Sequence, residues 1–122
     1  GNEMGQTVMT FSGTPGLTVS MAVADVVDNL EDEFTNVSGY PAIGAIVTCE
    51  AGDIRFTMGG NIATPTNPPT QGPAGLGHIL YEGQSLYLSS GPAVRTFQFI
   101  AATNKIAAVL QVTALFERGV NV

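Results

Sequence analysis

Two apolar stretches separated by a tight turn organise the middle of this chain. Residues 43–50 are apolar on both faces, and residues 53–58 alternate apolar with polar side chains. A continuous apolar run is typical of a central strand, and a period of two is typical of a strand with one buried face. Ala51-Gly52-Asp53 between them has turn composition, so we predict two strands joined by a turn.

Further candidate strands follow toward the C-terminus. Glu82-Gly83 predicts a two-residue hairpin turn between strands at 78–82 and 84–89. Residues 94–101 and 107–116 also alternate, and each predicts a strand with one apolar face.

The N-terminal third is less regular. Residues 13–16 have turn composition, residues 17–24 alternate as a strand does, and residues 25–30 favour a short helical turn or an irregular segment. We expect a polar N-terminal arm at 1–6 and a C-terminal tail at 117–122.

No stretch predicts a long helix, so a second sheet must cover the first. The length of 122 residues suits one domain. We therefore expect a single all-β domain over residues 1–122, a two-sheet antiparallel β-sandwich that is jelly-roll-like, with about seven or eight short strands.

The chain is acidic and poor in charge. Charged residues make up 11% of it, against roughly 25% in typical proteins, and the net charge is −6. Few charges solvate the surface, so we expect self-association or docking onto a larger body, the alternative being a surface of uncharged polar residues. The excess of acidic over basic residues argues against binding to nucleic acid or to anionic membranes. We also expect no membrane-spanning segment and no secretion signal. The acidic run at 31–33 lacks a Ca²⁺-loop pattern and is interpreted as a solvated loop.

Residues 59–77 form a long segment without a strand pattern. The segment holds five glycines and four prolines, so it cannot carry a regular ladder. A loop of this length in a compact domain is usually functional or disordered, and we interpret it as a contact loop, with a pinned surface loop as the alternative. The candidate interface residues are Ile62, Pro65, Asn67, Pro68, Pro69, Gln71, Pro73 and Leu76.

The residues that carry catalytic chemistry are sparse. Cys49 is the single cysteine and His78 the single histidine, and these two residues alone do not supply a nucleophilic triad or a zinc site. Cys49 is interpreted as an inert core residue. Glu50, Asp53 and Glu82 are candidates for glycoside cleavage by residue type alone. We predict that the chain is not an enzyme and has no catalytic, metal or cofactor-binding residues.

Three pieces of the chain resemble a recurrent pattern of small phage-encoded proteins. Residues 45–56 resemble an alanine, apolar strand, Glu-Gly turn and apolar-Arg-aromatic passage. Thr64-Pro65-Thr66 with residues 77–84 is similar to a Pro-Thr…Gly-His-x-Leu-x-x-Gly passage, and residues 97–115 are similar to the closing hairpin.

The similarity covers about residues 43–116. The chain differs at Gly59-Gly60, where the family usually has Asp-Gly, and in a longer loop through residues 67–76. The resemblance implies a virion structural protein, such as a capsid decoration, cement or tail-associated subunit, made in the bacterial host cytoplasm. It would act through contacts with itself, as a dimer or trimer, and with major capsid or tail proteins.

A second interpretation is a carbohydrate- or receptor-binding module of a phage tail or fibre. In that case Tyr40, Tyr81 and Tyr87 would line a groove together with the 59–77 loop.

Overall fold

The computed structural model describes residues 10–30 and 41–117. The expected arm at 1–6, the acidic run at 31–33, Tyr40 and the tail beyond residue 117 lie outside these described residues. In the described part of the chain, no helix is long and apolar enough to cross a membrane.

Eight strands and one short helix make up the described fold. The strands are β1 (Thr14–Val23), β2 (Asp28–Asn29), β3 (Ala42–Ala51), β4 (Ile54–Thr57), β5 (His78–Leu80), β6 (Ser85–Leu88), β7 (Gln98–Ala101) and β8 (Ala108–Phe116), and helix α1 (Gly91–Thr96) lies between β6 and β7. They form two antiparallel four-stranded sheets: sheet I in the order β1-β8-β3-β6 and sheet II in the order β2-β7-β4-β5. The predicted two-sheet β-sandwich is confirmed.

Four connections cross between the sheets at one end of the sandwich: β1 to β2, β3 to β4, β5 to β6 and β7 to β8. Hydrogen bonds join these connections to one another. The amide of Ala102 donates to the carbonyl of Asp53 (2.9 Å), and the amide of Lys105 donates to the carboxylate of Asp25 (3.0 Å). This strand order with repeated crossing is the arrangement of a jelly roll.

The predicted turns at residues 51–53 and 82–83 are present, but neither joins paired strands, so the hairpin expected at Glu82-Gly83 is wrong. The turn at Gly52 leads from β3 in sheet I to β4 in sheet II, and the turn at Gly83 leads from β5 in sheet II to β6 in sheet I. The turns bond across to each other, because the amide of Gly52 donates to Glu82 Oε1 (2.9 Å) and the amide of Gly83 donates to the carbonyl of Cys49 (2.7 Å). Local turn composition therefore marked the bends without fixing the sheet that each strand joins.

The N-terminal predictions were partly wrong. Residues 14–16, predicted as part of a turn, belong to β1, which has a register shift between Pro15 and Thr18. Residues 25–30, expected as a short helical turn or an irregular segment, form a bend followed by the two-residue strand β2.

The strand predicted at 94–101 begins only at Gln98. Residues 91–96 form α1, whose N-cap Ser90 accepts a hydrogen bond from the amide of Ala93 (3.1 Å), with Pro92 in the first turn. Ser at the N-cap and Pro just inside a helix are favourable start signals, which explains the helix.

The core lies between the inner faces of the two sheets. β8 is a central strand of sheet I, and its alternate residues Ala108, Leu110, Val112, Ala114 and Phe116 point inward, as predicted. Phe56 and Phe99 of sheet II pack with Phe97, the C-cap residue of α1, and the neighbouring ring centroids are 5.2 and 5.4 Å apart. The inward side chains of the two sheets therefore form one hydrophobic core in the described part of the chain.

Candidate contact surface

The loop at residues 58–77, between β4 and β5, lies over the outer face of sheet II. Three polar side chains of that face, Arg55, Thr57 and Gln98, are buried. They alternate with inward-facing core residues along β4 and β7, so the loop is what covers them. The 58–77 loop is therefore a packed layer of the domain.

Arg55 bonds the loop from beneath. Its Nη1 donates to the carbonyl of Gly77 (2.7 Å), its Nη2 to the carbonyls of Gly72 (3.1 Å) and Pro73 (3.5 Å), and its Nε also to Gly72 (3.3 Å). Gly77 has a φ of +120° and runs close to the backbone of Phe56, a combination that only glycine tolerates well. The glycine- and proline-rich loop forms no β-sheet hydrogen bonds, so its carbonyls need other donors. The charged guanidinium of Arg55 supplies them.

Two glutamines hold the loop at further points. Gln98 Nε2 donates to the carbonyl of Thr66 (3.0 Å). Gln71 Nε2 donates to both Asp25 Oδ1 (2.8 Å) and the carbonyl of Ala101 (2.9 Å). The hydrogen bonds from Gln71 and then from the Lys105 amide hold the pKa of the Asp25 carboxyl below its ordinary value. The loop is thus fixed to β7 and to the first crossing connection.

The loop also bonds to itself. Asn61 Oδ1 accepts from the amides of Ala63 (2.8 Å) and Thr64 (3.2 Å), which is an Asx-type turn. Thr70 Oγ1 accepts from the amide of Leu76 (2.6 Å), and the Thr70 amide donates to the Leu76 carbonyl (3.0 Å). The backbone conformation of the loop is therefore set before any partner arrives.

The eight predicted interface residues divide by burial. Pro69 is buried and Gln71 faces inward, so both hold the loop in place. Ile62 and Pro68 are half-buried, whereas Pro65, Asn67, Pro73 and Leu76 are exposed. Leu76 exposes 47% of its surface, and Met58 at the start of the loop exposes 40%. The part of the loop that faces solvent is apolar or uncharged.

Sequence reasoning missed a second surface that is poor in charge, the outer face of sheet I, where Glu50 is the one charged side chain among the outward residues named next. Its outward side chains are Thr18, Ser20, Ala22, Ile46, Thr48, Glu50, Ser85, Tyr87, Val109, Gln111 and Thr113. Hydroxyl pairs join neighbouring strands, Thr18 with Thr113 at 2.6 Å and Thr48 with Ser85 at 2.7 Å. The alternation of Thr, Ser and Gln in the strand sequences was the signal that could have identified it.

Several open cavities border the loop. One of about 280 Å³ is lined by Thr57, Met58, Asn67, Leu76, Gly77 and His78. Another of about 550 Å³ is lined by residues of the 59–66 segment with Arg95 and Thr96 of α1. Within the described part of the chain, the Thr57 hydroxyl is a buried side-chain oxygen that lacks a hydrogen-bond partner.

Cys49 is buried, as predicted. Burial, followed by the Asp53 and Glu82 carboxylates, raises the pKa of its thiol to about 11. Asp53 Oδ1 accepts from the amide of Glu82 (2.8 Å), and Glu50 Oε1 accepts from Gln111 Nε2 (2.7 Å), so these carboxylates support turns and strands. Among residues 10–30 and 41–117, no group of three or more His, Cys, Asp or Glu residues is placed to hold a metal ion.

Tyr81 and Tyr87, the two tyrosines of the alternative interpretation that lie among the described residues, are on different parts of the sandwich. Tyr87 lies on the outer face of sheet I, where its hydroxyl accepts from the amide of Ser12 (3.3 Å) and its ring meets Phe11. Tyr81 lies in the crossing connection between β5 and β6, and the 58–77 loop covers sheet II. Tyr87 and the loop are therefore on opposite faces of the sandwich.

No family model and no curated protein matches this chain. A solved structure described as a crystal structure of FeII HppE is similar at a TM-score of 0.43 and 18% sequence identity. The match covers 80% of this chain and 43% of that chain. A likeness at this TM-score carries no argument about the function of the chain.

Proposed function

We propose that this chain is a non-enzymatic structural protein of a phage virion, a capsid decoration or cement subunit that acts through protein–protein contacts. The observation that carries the proposal is the 58–77 loop. It has no Asp, Glu, Lys or Arg, and side chains of sheet II bond it from beneath. An uncharged surface held in a fixed shape is suited to docking against another protein.

The energetics of binding favour such a loop. A loop that orders only on binding loses conformational entropy at that moment, whereas one already fixed by Arg55, Gln71 and Gln98 loses little. Stable contacts between proteins bury roughly 1,200–2,000 Å² in total, so the loop would be the centre of a larger contact.

The resemblance to small phage-encoded proteins adds the virion context, with major capsid or tail proteins and further copies of this chain as partners. The jelly-roll arrangement is also used by viral capsid domains, although lectins and cupins share it, so the fold alone assigns no role. Nothing in the described part of the chain favours the alternative tyrosine-lined groove, because Tyr87 and the 58–77 loop lie on opposite faces of the sandwich.

The test is binding to shells of the phage whose genome carries this gene, prepared without this protein. Deleting the loop is a poor test, because it would uncover Arg55 and Gln98. Leu76→Asp keeps the loop and its bonds to Arg55 and Gln98 while adding a charge to its exposed surface, and we expect it to weaken shell binding roughly tenfold or more. Ile106→Asp is the matched control, since Ile106 is a similarly exposed aliphatic residue at the crossing end of the sandwich.

Sedimentation of protein with shells measures the result. Loss of binding for Leu76→Asp with wild-type binding for Ile106→Asp supports the proposal. If the wild-type protein does not bind such shells, the proposed function is wrong, and if both variants bind alike, the loop is not the contact.

A further inference from the structure

The four edge strands of the sandwich differ greatly in length. β2, β5 and β6 span two, three and four residues, whereas β1 spans ten. Within the described part of the chain, β1 pairs with β8 alone, so its other side presents backbone donors and acceptors. A long free edge is a template for pairing with another strand.

β1 carries almost none of the features by which natural edges prevent pairing. Residues 4–24 include no Asp, Glu, Lys or Arg. The proline and the register shift lie near the start of the strand, and pairing with β8 is regular from Thr18 to Val23. Charges, prolines and bulges are the usual means of blocking an edge, so the Thr18 to Val23 part remains competent to pair.

Two exposed apolar side chains flank this part of the edge. Leu17, in the register shift, exposes 88% of its surface, and Val26, just beyond the end of β1, exposes 76%. They are the two most exposed large apolar side chains of the described residues. In an antiparallel pairing of two β1 strands centred near Ser20, Leu17 of one copy lies opposite Val23, the last residue of β1, in the other copy.

We propose that β1 pairs with β1 of a second copy of this chain, antiparallel and about a two-fold axis near Ser20. The pairing joins sheet I of one copy to sheet I of the other as one continuous eight-stranded sheet, through an edge strand that carries no charged side chain. Two copies that each carry a net charge of −6 repel, and an edge without charge is where they approach at least cost. The inference deepens the self-association in the proposed function and rests on it.

Two substitutions test the pairing in the isolated protein. Ser20→Lys places like charges together across the axis and is expected to weaken the dimer about five-fold or more. Leu17→Asp removes the exposed apolar contact and is expected to act in the same direction. Ser85→Lys is the matched control: Ser85, like Ser20, is an exposed serine on an edge of the outer face of sheet I with one side-chain hydrogen bond.

Sedimentation velocity over a range of concentrations gives the association state, and far-UV circular dichroism checks the fold. The proposal is supported if the wild-type protein and Ser85→Lys form a dimer and if the dimers of Ser20→Lys and Leu17→Asp are weaker. A wild-type monomer at all concentrations, a trimer, or a dimer unaffected by both variants overturns it.

Amide hydrogen exchange distinguishes pairing of β1 between two copies from coverage of β1 by other residues of the same chain. Protection of β1 that rises with protein concentration supports pairing between copies. Equal protection at high dilution means that the chain's own residues cover the edge, and this overturns the proposal. Shell binding is measured separately, so a monomer that still binds shells overturns the dimer and leaves the decoration role intact.

Discussion

Replacing Arg55 with methionine tests how the 58–77 loop is held. The change removes the guanidinium and keeps an apolar stem of similar length. The two shortest bonds, to Gly77 at 2.7 Å and to Gly72 at 3.1 Å, are lost together. Hydrogen bonds to a charged group contribute roughly 1.5–3 kcal/mol each, and water can rehydrate the released carbonyls, so we expect a loss of about 3 kcal/mol in the free energy of unfolding. That is a large fraction of the roughly 5–15 kcal/mol typical of domains.

Urea unfolding gives the stability change, and hydrogen exchange at the amides of Gly72 and Leu76 reports the loop. We expect both amides to exchange faster in Arg55→Met. Arg95→Met is the control, because Arg95 is exposed and its loss is expected to change stability by less than about 0.5 kcal/mol. A loss below about 1 kcal/mol in Arg55→Met, with unchanged exchange in the loop, would refute the role assigned to Arg55.

Three further predictions concern single buried or titrating groups. Thr57→Val removes a buried hydroxyl without a partner and is expected to raise the free energy of unfolding by about 1 kcal/mol in urea titrations; a decrease would show that the hydroxyl is satisfied. The lowered pKa of Asp25 stabilises the fold above the unfolded-state pKa of about 4. The stability difference between wild type and Asp25→Asn should therefore shrink as pH falls below about 4, and a constant difference would contradict this. Cys49 should resist alkylation in the native protein at pH 8, because its pKa of about 11 leaves about one thiol in a thousand ionised and the side chain is buried; fast native-state labelling would contradict this.

The periodicity of the strands was predictable because it depends on local sequence. The inward residues of β8 and the central position of β3 followed from apolar patterning alone. The sheet that each strand joins did not follow, because a turn such as Gly52-Asp53 has the same composition whether it closes a hairpin or crosses between sheets. That choice depends on contacts distant in sequence, such as the bond between Gly52 and Glu82.

The candidate surface was predictable in location and less so in its detail. The composition of the 59–77 segment marked it as a loop with special properties, yet its position over sheet II depends on Arg55 and Gln98. Arg55 alternates with apolar residues and so suggested a solvated face of β4, whereas the loop buries it. Pattern analysis assigns a residue to a face of a strand, but it does not show which other segment covers that face.

The most direct test of the decoration role is an electron cryo-microscopy map of the shells after incubation with the wild-type protein. The account predicts stoichiometric density at the seams between capsomers, with the 58–77 loop against the shell. Shells that remain bare at saturating protein, or density that contacts the shell only through the opposite outer face, would contradict it.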